Sequence, residues 1–525
     1  MTSVKSTAVG LALSVLFLSH SAGPAQALLD IPTSDRRALQ IVDLAGSSGV
    51  ALPADLAVTP VDDAVYLESY RSLYNRGLYD QLGAQVAGWA ETRADGRFHF
   101  EFLRPDLDVR TYWAGADADG RLLYHTSGDR VASGLNTFTS LSGEAFWGER
   151  LAGYYELQGA VRSGDLMYRT KRLYLKGVWG KWSLKLGRDS ERIGPGYHGS
   201  LLLDDNAPTM DLVRIRTEKP LFLPGRFASL GGFRFLILNG YLNDSEPEAP
   251  DPRYGTGLNG IESPRLFAMR ISYHPVSWLD LGISRTVMYS GEGREAYDSP
   301  SEWFKLLTGE DEHGEGGDHT YDNDGYGAYD VTVRLPVLNG VGPLKGGKIY
   351  AQRAGADGSI SKFSPYPKEE HAFGFLPFKV LSVGRLVGAY LSTATTDLRA
   401  EYASTDPAWY RHPQYPQGYS FQGRPLGHTM GGDALSWYLE IGRHFGPDWR
   451  LSGGFDCQER GRSLERTETR KEWTLWLENR TLEVWGRTLS VRADYLLAQV
   501  EDPLDDLEAS DRTETYLGVT VRFPL

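Results

Sequence analysis

The residues whose types and spacing most suggest chemistry lie at positions 187–211, GRDSERIGPGYHGSLLLDDNAPTMD. His198 and Ser200, with Asp204 or Asp205 as the acidic partner, are the residue types of a hydrolase triad. Adjacency in sequence gives no triad geometry, and the G-x-S-x-G pattern of a nucleophile elbow is absent. A phosphate-binding loop is excluded because no Gly-Lys-Ser/Thr follows the glycines. An esterase or lipase is therefore a remote alternative, and we predict no catalytic residue.

The same run is better explained as a structural motif, a tight and irregular turn that follows a strand. Glycines supply the unusual backbone angles of such a turn, and Asp204, Asp205 and Asn206 can tie the following backbone through side-chain hydrogen bonds. The predicted motif comprises Gly194, Pro195, Gly196, Tyr197, His198 and Gly199.

Metal-binding patterns in the sequence are incomplete. DNDG at 322–325 resembles half of a calcium loop. Aligning its glycine with the invariant turn glycine places Thr320 and Val331 where an Asp and the bidentate Glu belong. His313 and His319 have no Cys or helix that would gather them into a zinc site. We predict no cofactor and no metal site, with weak cation binding by nearby acidic residues as an alternative.

Two long irregular segments, residues 291–330 and 405–433, mix aromatic residues with Asp, Asn, Arg and His. This mixture suits sugar binding, because pyranose C–H faces pack on aromatic rings and hydroxyls need planar, multivalent partners. The predicted ligand-binding residues are Trp303, Asp318, Tyr321, Asn323, Asp324 and Tyr326 in the first segment and Trp409, Arg411, His412, Tyr415, Tyr419, Arg424 and His428 in the second. The alternative is that both segments only fold inward and plug the molecule.

The elements that must position these segments are β-strands. At the end of the chain, Leu517, Val519 and Val521 fall on one face of a strand, with polar neighbours on the other. The face inferred to be the inner one repeatedly carries cations, which suits a hydrated barrel interior better than a sandwich core. These cations are Lys176, Lys185, Arg214, Arg216, Arg270, Arg285 and Arg334.

Composition restricts the class of protein. The 525 residues include 60 glycines and 12% aromatic residues, and the net charge of −13 opposes nucleic-acid binding through phosphates. Mean hydropathy is −0.36, and beyond the N-terminus no run of about 18 apolar residues would form a membrane helix. A membrane-spanning chain of this kind must be a closed barrel. The predicted fold is all-β, a transmembrane antiparallel β-barrel of about 18 strands with a small N-terminal α-helical region and long extracellular loops.

Tryptophans recur near the predicted strand ends, as expected of aromatic girdles at the two membrane interfaces. They are Trp179, Trp182, Trp278, Trp437, Trp449, Trp473, Trp476 and Trp485.

The N-terminus differs from the rest of the chain. Residues 1–27 form a predicted signal peptide, with an apolar run from Ala8 to Leu18 and an A-x-A site before cleavage after Ala27. Residues 28–81 form a predicted periplasmic helical region, with one helix that ends near Gly46 and a second that starts near Asp62 or Asp63. Residues 82–525 form the predicted barrel, and its one Cys, Cys457, cannot make an intramolecular disulfide.

Four segments in this order resemble the Wzi family of capsule assembly proteins: GRDSERIGPGYHGSLLLDDNAP, MRISYHPVSWLDLGISRTVMYSGEGR, DNDGYGAYDVTVRLP and YPQGYSFQGRPLGHTMGGDA. The resemblance covers nearly the whole chain after residue 27. It implies an outer-membrane barrel of eighteen strands, an N-terminal helical bundle and long extracellular loops that close the lumen. It also implies a surface lectin that attaches or organises capsular or exported polysaccharide.

The predicted function is therefore that of a non-enzymatic protein of the Gram-negative outer membrane that binds capsular or exported polysaccharide at the cell surface. Its expected partners are that polysaccharide, outer-membrane lipid and, during biogenesis, the barrel assembly machinery, and we expect a monomer. The main alternative is an outer-membrane porin or specific solute channel, which the inward cations would also suit. The acidic segment 291–330, with twelve Asp and Glu against Arg294 and Lys305, fits poorly with an anionic polymer.

Overall fold

The structure is a computed structural model, and strands form most of the part of the chain that it describes. The described residues are 30, 36–48, 58–59, 106–116, 121–122, 125–147, 150–243, 261–292, 294, 297, 299–308, 323–356, 382–412, 415–446, 448–485, 487–504 and 511–524.

Eighteen long strands can be followed through the described residues. They are β1 (Asp106–Ala114), β2 (Gly134–Trp147), β3 (Leu151–Arg162), β4 (Asp165–Trp179), β5 (Trp182–Asp189), β6 (Met210–Thr217), β7 (Gly232–Tyr241), β8 (Arg265–Val276), β9 (Leu279–Tyr289), β10 (Asp324–Arg334), β11 (Leu344–Ala356), β12 (Ser382–Thr393), β13 (Thr396–Thr405), β14 (Ala434–Phe445), β15 (Trp449–Arg460), β16 (Glu468–Val484), β17 (Arg487–Glu501) and β18 (Arg512–Pro524).

The remaining described elements are short. They are the helices α1 (Arg36–Ser47) and α2 (Pro300–Thr308), the 3-10 helices Gly225–Leu230 and Pro336–Leu338, the strand Leu221–Phe222, and the two-residue strand pairs Val58–Thr59 with Arg192–Ile193, Arg121–Leu122 with Arg130–Val131, and Ser420–Phe421 with Arg424–Pro425.

The eighteen strands close into one antiparallel barrel. Each strand pairs with its neighbours in sequence, and β1 pairs with both β2 and β18, so that Asp106 lies opposite Pro524 and Ala114 opposite Tyr516. Closure leaves no unpaired sheet edge. The predicted all-β barrel and its strand count are confirmed.

The barrel has two different ends, because the shortest and the longest connections lie mostly at opposite ends. At one end, the tight-turn end, residues 180–181, 277–278, 394–395, 446–448 and 485–486 join consecutive strands. At the other end, the long-loop end, the connections include residues 190–209, 242–264, 290–323, 357–381 and 406–433. The chain enters β1 and leaves β18 at the tight-turn end.

Side chains alternate between the outside and the lumen, as the period of two predicts. On β18, Leu517 and Val519 face outward and are 52% and 48% exposed, whereas the inward Tyr516 of the same strand is 3% exposed. Most of the predicted girdle tryptophans also face outward, and those exposed are Trp182, Trp278, Trp437, Trp449, Trp473 and Trp485.

Trp476 is an exception, and its prediction as a girdle residue was wrong. It lies on the inward face of β16, where the guanidinium carbons of Arg450 and Arg492 lie 5.2 and 4.6 Å from the centre of its ring. Cation–π attraction to inward arginines explains this placement, which no count of aromatic residues near strand ends could detect.

The predicted inward cations do point into the barrel, but they are buried; six of the seven form ion pairs and Arg285 donates to the carbonyl of Leu306, so the expectation of a hydrated interior around them was wrong. Arg270, for example, donates to both carboxylate oxygens of Asp330, and Arg214 lies 2.7 Å from Glu191. A charge out of water is tolerated only when it is paired and hydrogen-bonded. The lumen therefore contains ion pairs, which the alternation pattern alone could not reveal.

Helix α1 lies in the stretch for which the sequence predicts the first helix, and it ends one residue beyond Gly46. The second predicted helix, near Asp62, lies outside the described residues. The boundaries of the signal peptide (1–27), the periplasmic helical region (28–81) and the barrel (82–525) stay predictions. Within the part of the chain that the structure describes, neither α1 nor α2 is long and apolar enough to cross a membrane.

Candidate functional site in the lumen and at the long-loop end

Residues 190–209, which join β5 to β6, fold back into the lumen as an insert, and residues 189–208 are all buried. The predicted GPGYHG motif is the centre of this insert. A Cβ at Gly196 would lie 2.0 Å from the carbonyl oxygen of Gly199, and a Cβ at Gly199 would lie 2.1 Å from the ring of His428. Glycine is therefore required at both positions because neighbouring atoms leave no room for a Cβ, whereas the sequence predicted only a tight, irregular turn.

One carboxylate holds the motif in place. Glu401 on β13 accepts hydrogen bonds from the backbone N–H groups of Tyr197, His198 and Gly199, at 2.6, 3.1 and 3.1 Å. The hydroxyl of Tyr350 on β11 donates to the same carboxylate at 2.7 Å. Consecutive N–H groups that converge on an anion form a nest, and hydrogen bonds to a charged acceptor are stronger than neutral ones. Because β11 and β13 belong to the wall, this contact anchors the insert across the lumen.

His198 has a structural environment and does not form a triad with Ser200. Its ring stacks on Tyr438 with centroids 4.0 Å apart, and its Nε2 lies 2.9 Å from Asp456. The hydroxyl of Ser200 instead donates to the carbonyl of Ile193. Both side chains are buried, so substrate has no access to them in this conformation. The geometry therefore gives no support to the esterase alternative.

An ionic cluster lies below the insert, near the tight-turn end. Asp30 accepts from Lys176 and Arg216 through Oδ1, at 2.9 and 2.8 Å, and contacts Lys185 and Arg214 through Oδ2, both at 2.8 Å. Burial alone would raise the pKa of Asp30, but these four cations hold it well below its ordinary value. The carboxylate thus fastens the start of the chain to β4, β5 and β6.

Helix α1 is fastened in the same way. Its Asp43 lies 2.6 Å from Lys348 on β11 and 2.9 Å from Arg399 on β13. Burial opposes ionisation, and the two cations nevertheless keep the pKa of Asp43 below its ordinary value. The guanidinium of Arg399 also lies over the rings of Tyr197 and Tyr390, at 3.9 and 4.2 Å. Arg399 therefore connects α1 to the GPGYHG motif.

Two groups of described residues come close enough to hold a metal ion. In the first, Asp30, Asp189 and Glu191 surround the ammonium of Lys185, which lies 2.6 to 2.8 Å from each of them. In the second, His125, Asp204 and Asp205, the Nε of Arg192 lies 2.9 Å from Asp204. A metal ion would have to displace a protein cation at either place.

The connection 406–433 packs over the insert and closes the lumen from the long-loop end. Tyr410 donates to the carbonyl of Leu201 at 2.6 Å and accepts from the N–H of His428 at 2.8 Å. Tyr410 also packs with Trp409, Tyr419 and Tyr326, with ring centroids 4.6 to 5.8 Å apart within this aromatic group. Burial and then the charge of His198 lower the pKa of His428 to about 3.

A second aromatic group lies around α2. Ser299 and Glu302 form a reciprocal capping box at the start of this helix, with bonds of 2.7 and 3.3 Å, which explains why the helix begins there. The helix places Trp303 against Tyr289 and Tyr297, with centroids 5.8 and 6.4 Å apart.

The predicted sugar-contacting residues are distributed over three environments. The fully or almost fully buried ones are Asn323, Asp324, Tyr326, Trp409, Tyr415, Tyr419, Arg424 and His428. Arg411 is exposed, and Trp303 and His412 are partly buried. Asp318 and Tyr321 lie outside the described residues. Asp324 and Tyr326 belong to β10 and not to a loop, so the segment predicted to end at 330 is shorter than expected.

The buried rings pack on one another and so present no face to a ligand in this conformation; they support the connections that lie above them. Sequence reasoning missed Glu401, Asp30 and Asp43, the carboxylates that hold the interior together. A signal for Glu401 existed, because it alternates inward with Arg399 along β13. Asp30 carried no local signal, since its partners lie more than 140 residues away.

Comparisons with known proteins agree with this architecture. Residues 113–514 match the family model described as capsule assembly protein Wzi. An uncharacterized 55.8 kDa protein in the cps region of Klebsiella pneumoniae is 26% identical over 165 residues, which span only 30% of this chain and 30% of that relative.

Among solved structures, the fold is similar to that of Escherichia coli Wzi, described as an outer membrane protein involved in group 1 capsule assembly and a carbohydrate-binding β-barrel. The TM-score is 0.64 at 16% identity, over 95% of this chain and 100% of that one. The barrel of Pseudomonas aeruginosa OccD3 aligns with a TM-score of 0.48 at 10% identity, over 82% of this chain and 94% of that one.

Proposed function

This chain belongs to the capsule assembly protein Wzi family, and from that premise we propose that it is a non-enzymatic outer-membrane barrel that binds capsular or exported polysaccharide at the cell surface and helps to attach or assemble it. The family match over most of the chain is the observation that carries the proposal. It agrees with the resemblance in the GPGYHGSLLL and GRPLGHTMG segments.

The filled lumen favours a binding function and argues against a channel. The insert crosses from β5 to contacts with β11 and β13, and the connection 406–433 covers it from the long-loop end. A plugged barrel should carry little steady current. Recordings in planar bilayers would test this point, since porin-like conductance of the wild-type protein contradicts it.

The proposal also assigns an orientation. Outer-membrane barrels have short periplasmic turns and longer extracellular loops, so the tight-turn end, with α1, faces the periplasm and the long-loop end faces the exterior. We further propose that the barrel assembly machinery inserts the protein and that it acts as a monomer. Protease added to intact cells should then cleave within the long-loop connections and not at the tight-turn end.

We assign the polysaccharide contact mainly to the connection 406–433, whose exposed Arg411 can meet a carboxylate or hydroxyls of the polymer. His412 and, from α2, Trp303 are the other accessible members of the predicted set. The buried aromatic group below them fixes the backbone that presents them.

The test measures polysaccharide retained by cells or by the purified barrel on a glycan array. The double variant Arg411→Ala/His412→Ala should retain less polysaccharide while it still inserts as a folded barrel. Arg462→Ala is the matched control, because this half-exposed arginine lies on another connection at the same end. Equal retention by the wild type, the double variant and the control would contradict the proposed contact.

A further inference from the structure

The connection between β6 and β7, residues 218–231, is an apolar surface at the tight-turn end. Residues 222–230 are nine consecutive exposed residues, and the 3-10 helix Gly225–Leu230 buries none of its side chains. Phe222, Leu223, Phe227 and Leu230 are 54%, 43%, 48% and 50% exposed. A connection outside the barrel strands that holds this much apolar surface in one place calls for a partner.

This surface continues the outward face of the barrel wall. Leu221 and Phe222 pair with Phe233 and Gly232, the first residues of β7, so the connection leaves β6 alongside the barrel wall. The ring of Phe233 stacks on Tyr273 of β8 with centroids 4.7 Å apart, and the Tyr273 hydroxyl donates to the carbonyl of Leu230 at 2.5 Å. Further along β7, the outward Ile237 is exposed. The apolar connection and the lipid-facing wall therefore form one surface.

The exposed charge of the connection is positive, although the chain as a whole has a net charge of −13. The ammonium of Lys181 lies 5.8 Å from the centre of the Phe222 ring, and the guanidinium carbon of Arg226 lies 5.1 Å from that of Phe227. Glu218, the one acidic residue of 218–231, turns inward to Lys176 and Arg216. Apolar rings flanked by cations suit a membrane interface, where rings enter the acyl boundary and cations meet phosphates.

We propose that residues 218–231, with Lys181, form a membrane foot, in which the apolar side chains insert into the phospholipid leaflet on the tight-turn side and the cations bind its phosphate headgroups. The foot rests on the proposed membrane orientation and is independent of polysaccharide binding. It fixes the depth of the barrel at this side of the wall. Anionic phospholipid should bind it more strongly than zwitterionic lipid, because each basic residue near the surface adds attraction.

Nitroxide labels test the depth of the foot. In a Cys457→Ser background, which removes the one native cysteine, labels are placed at Phe227→Cys and, as control, at Asn339→Cys. Asn339 is a polar, exposed residue of the β10–β11 connection at the same end. In nanodiscs of phosphatidylethanolamine and phosphatidylglycerol, the label at 227 should collide more often with oxygen than with a water-soluble nickel chelate, and the label at 339 should show the opposite preference. The same preference at both positions would overturn the proposal.

A second comparison tests the headgroup contact. The double variant Lys181→Gln/Arg226→Gln should make the label at 227 as shallow in phosphatidylglycerol-containing nanodiscs as it is in purely zwitterionic ones. An unchanged depth would refute the role of the cations. If the label at 227 stays accessible to nickel in nanodiscs and becomes protected only when envelope proteins are added, the partner is a protein and lipid insertion is refuted.

Failure of the membrane foot can be distinguished from failure of the proposed polysaccharide binding. Phe222→Ser/Leu230→Ser should make the label at 227 shallower and leave polysaccharide retention by the folded barrel unchanged. A protein that keeps a deep label at 227 and retains no polysaccharide would remove the proposed function and leave the membrane foot intact.

Discussion

Replacing Asp30 by Asn tests the ionic cluster that fastens the start of the chain inside the barrel. The four cations Lys176, Lys185, Arg214 and Arg216 face four carboxylates, those of Asp30, Asp189, Glu191 and Glu218. The isosteric Asp30→Asn change leaves one positive charge in excess. Because Asp30 is fully buried, the discount for exposed ion pairs does not apply, and removing one partner of such a pair costs about 3–5 kcal/mol.

The free energy of unfolding of the purified barrel, followed by circular dichroism in detergent micelles, measures this loss. Trypsin cleavage of the segment before β1 gives a second readout, because an undocked segment is cleaved faster. Asp211→Asn is the matched control, since Asp211 and Arg188 lie 2.8 Å apart but are 42% and 38% exposed. Breaking that exposed pair should cost at most about 1 kcal/mol.

The pH dependence of the difference provides an independent check. The folded-state pKa of Asp30 is lowered, so its stabilisation is present above the unfolded pKa of about 3.9 and is lost as the pH falls toward the folded pKa. The difference between the wild type and Asp30→Asn should be constant from pH 7 to about pH 5 and narrow below about pH 4. Equal losses for Asp30→Asn and Asp211→Asn, or a difference that widens in acid, would refute the reasoning.

Three further predictions concern the insert and the connection above it. Glu401→Gln weakens charged hydrogen bonds worth about 1.5–3 kcal/mol each, so single-channel recordings should show more frequent current openings than with the exposed control Glu459→Gln. The pKa of His428 falls from 6.5 to about 3 on folding, so the free energy of unfolding is unaffected by this group above pH 6.5 and decreases as the pH falls below it. The thermal midpoint of His428→Asn should therefore change less between pH 7 and 4 than that of the wild type. Gly196→Ala places a Cβ 2.0 Å from a backbone oxygen, and this overpacking should lower the free energy of unfolding by about 1–3 kcal/mol and with it the thermal midpoint, whereas Gly327→Ala, whose Cβ has nothing within 4 Å, should leave both unchanged.

The sequence by itself determined the elements and the direction of their side chains. Alternation and helical spacing are local properties, so the chain predicts the barrel strands, the inward position of cations such as Lys185 and Arg214, and a helix that covers Val42. Gly196 of the GPGYHG motif also carries its requirement locally, since its Cβ would meet the carbonyl oxygen of Gly199, whereas the crowding at Gly199 comes from the distant His428.

Only the tertiary structure decided which charges meet and which aromatic rings are buried. Asp30 reaches Arg216 across 186 positions and Glu401 reaches Tyr197 across 204, and both contacts exist only because the closed barrel brings distant strands around one insert. The same closure buries Trp409 and Tyr419 and leaves Arg411 exposed, although the composition of their segment predicts all three as sugar-contacting residues. Local pattern states which face a side chain occupies, whereas register and closure determine what lies opposite that face.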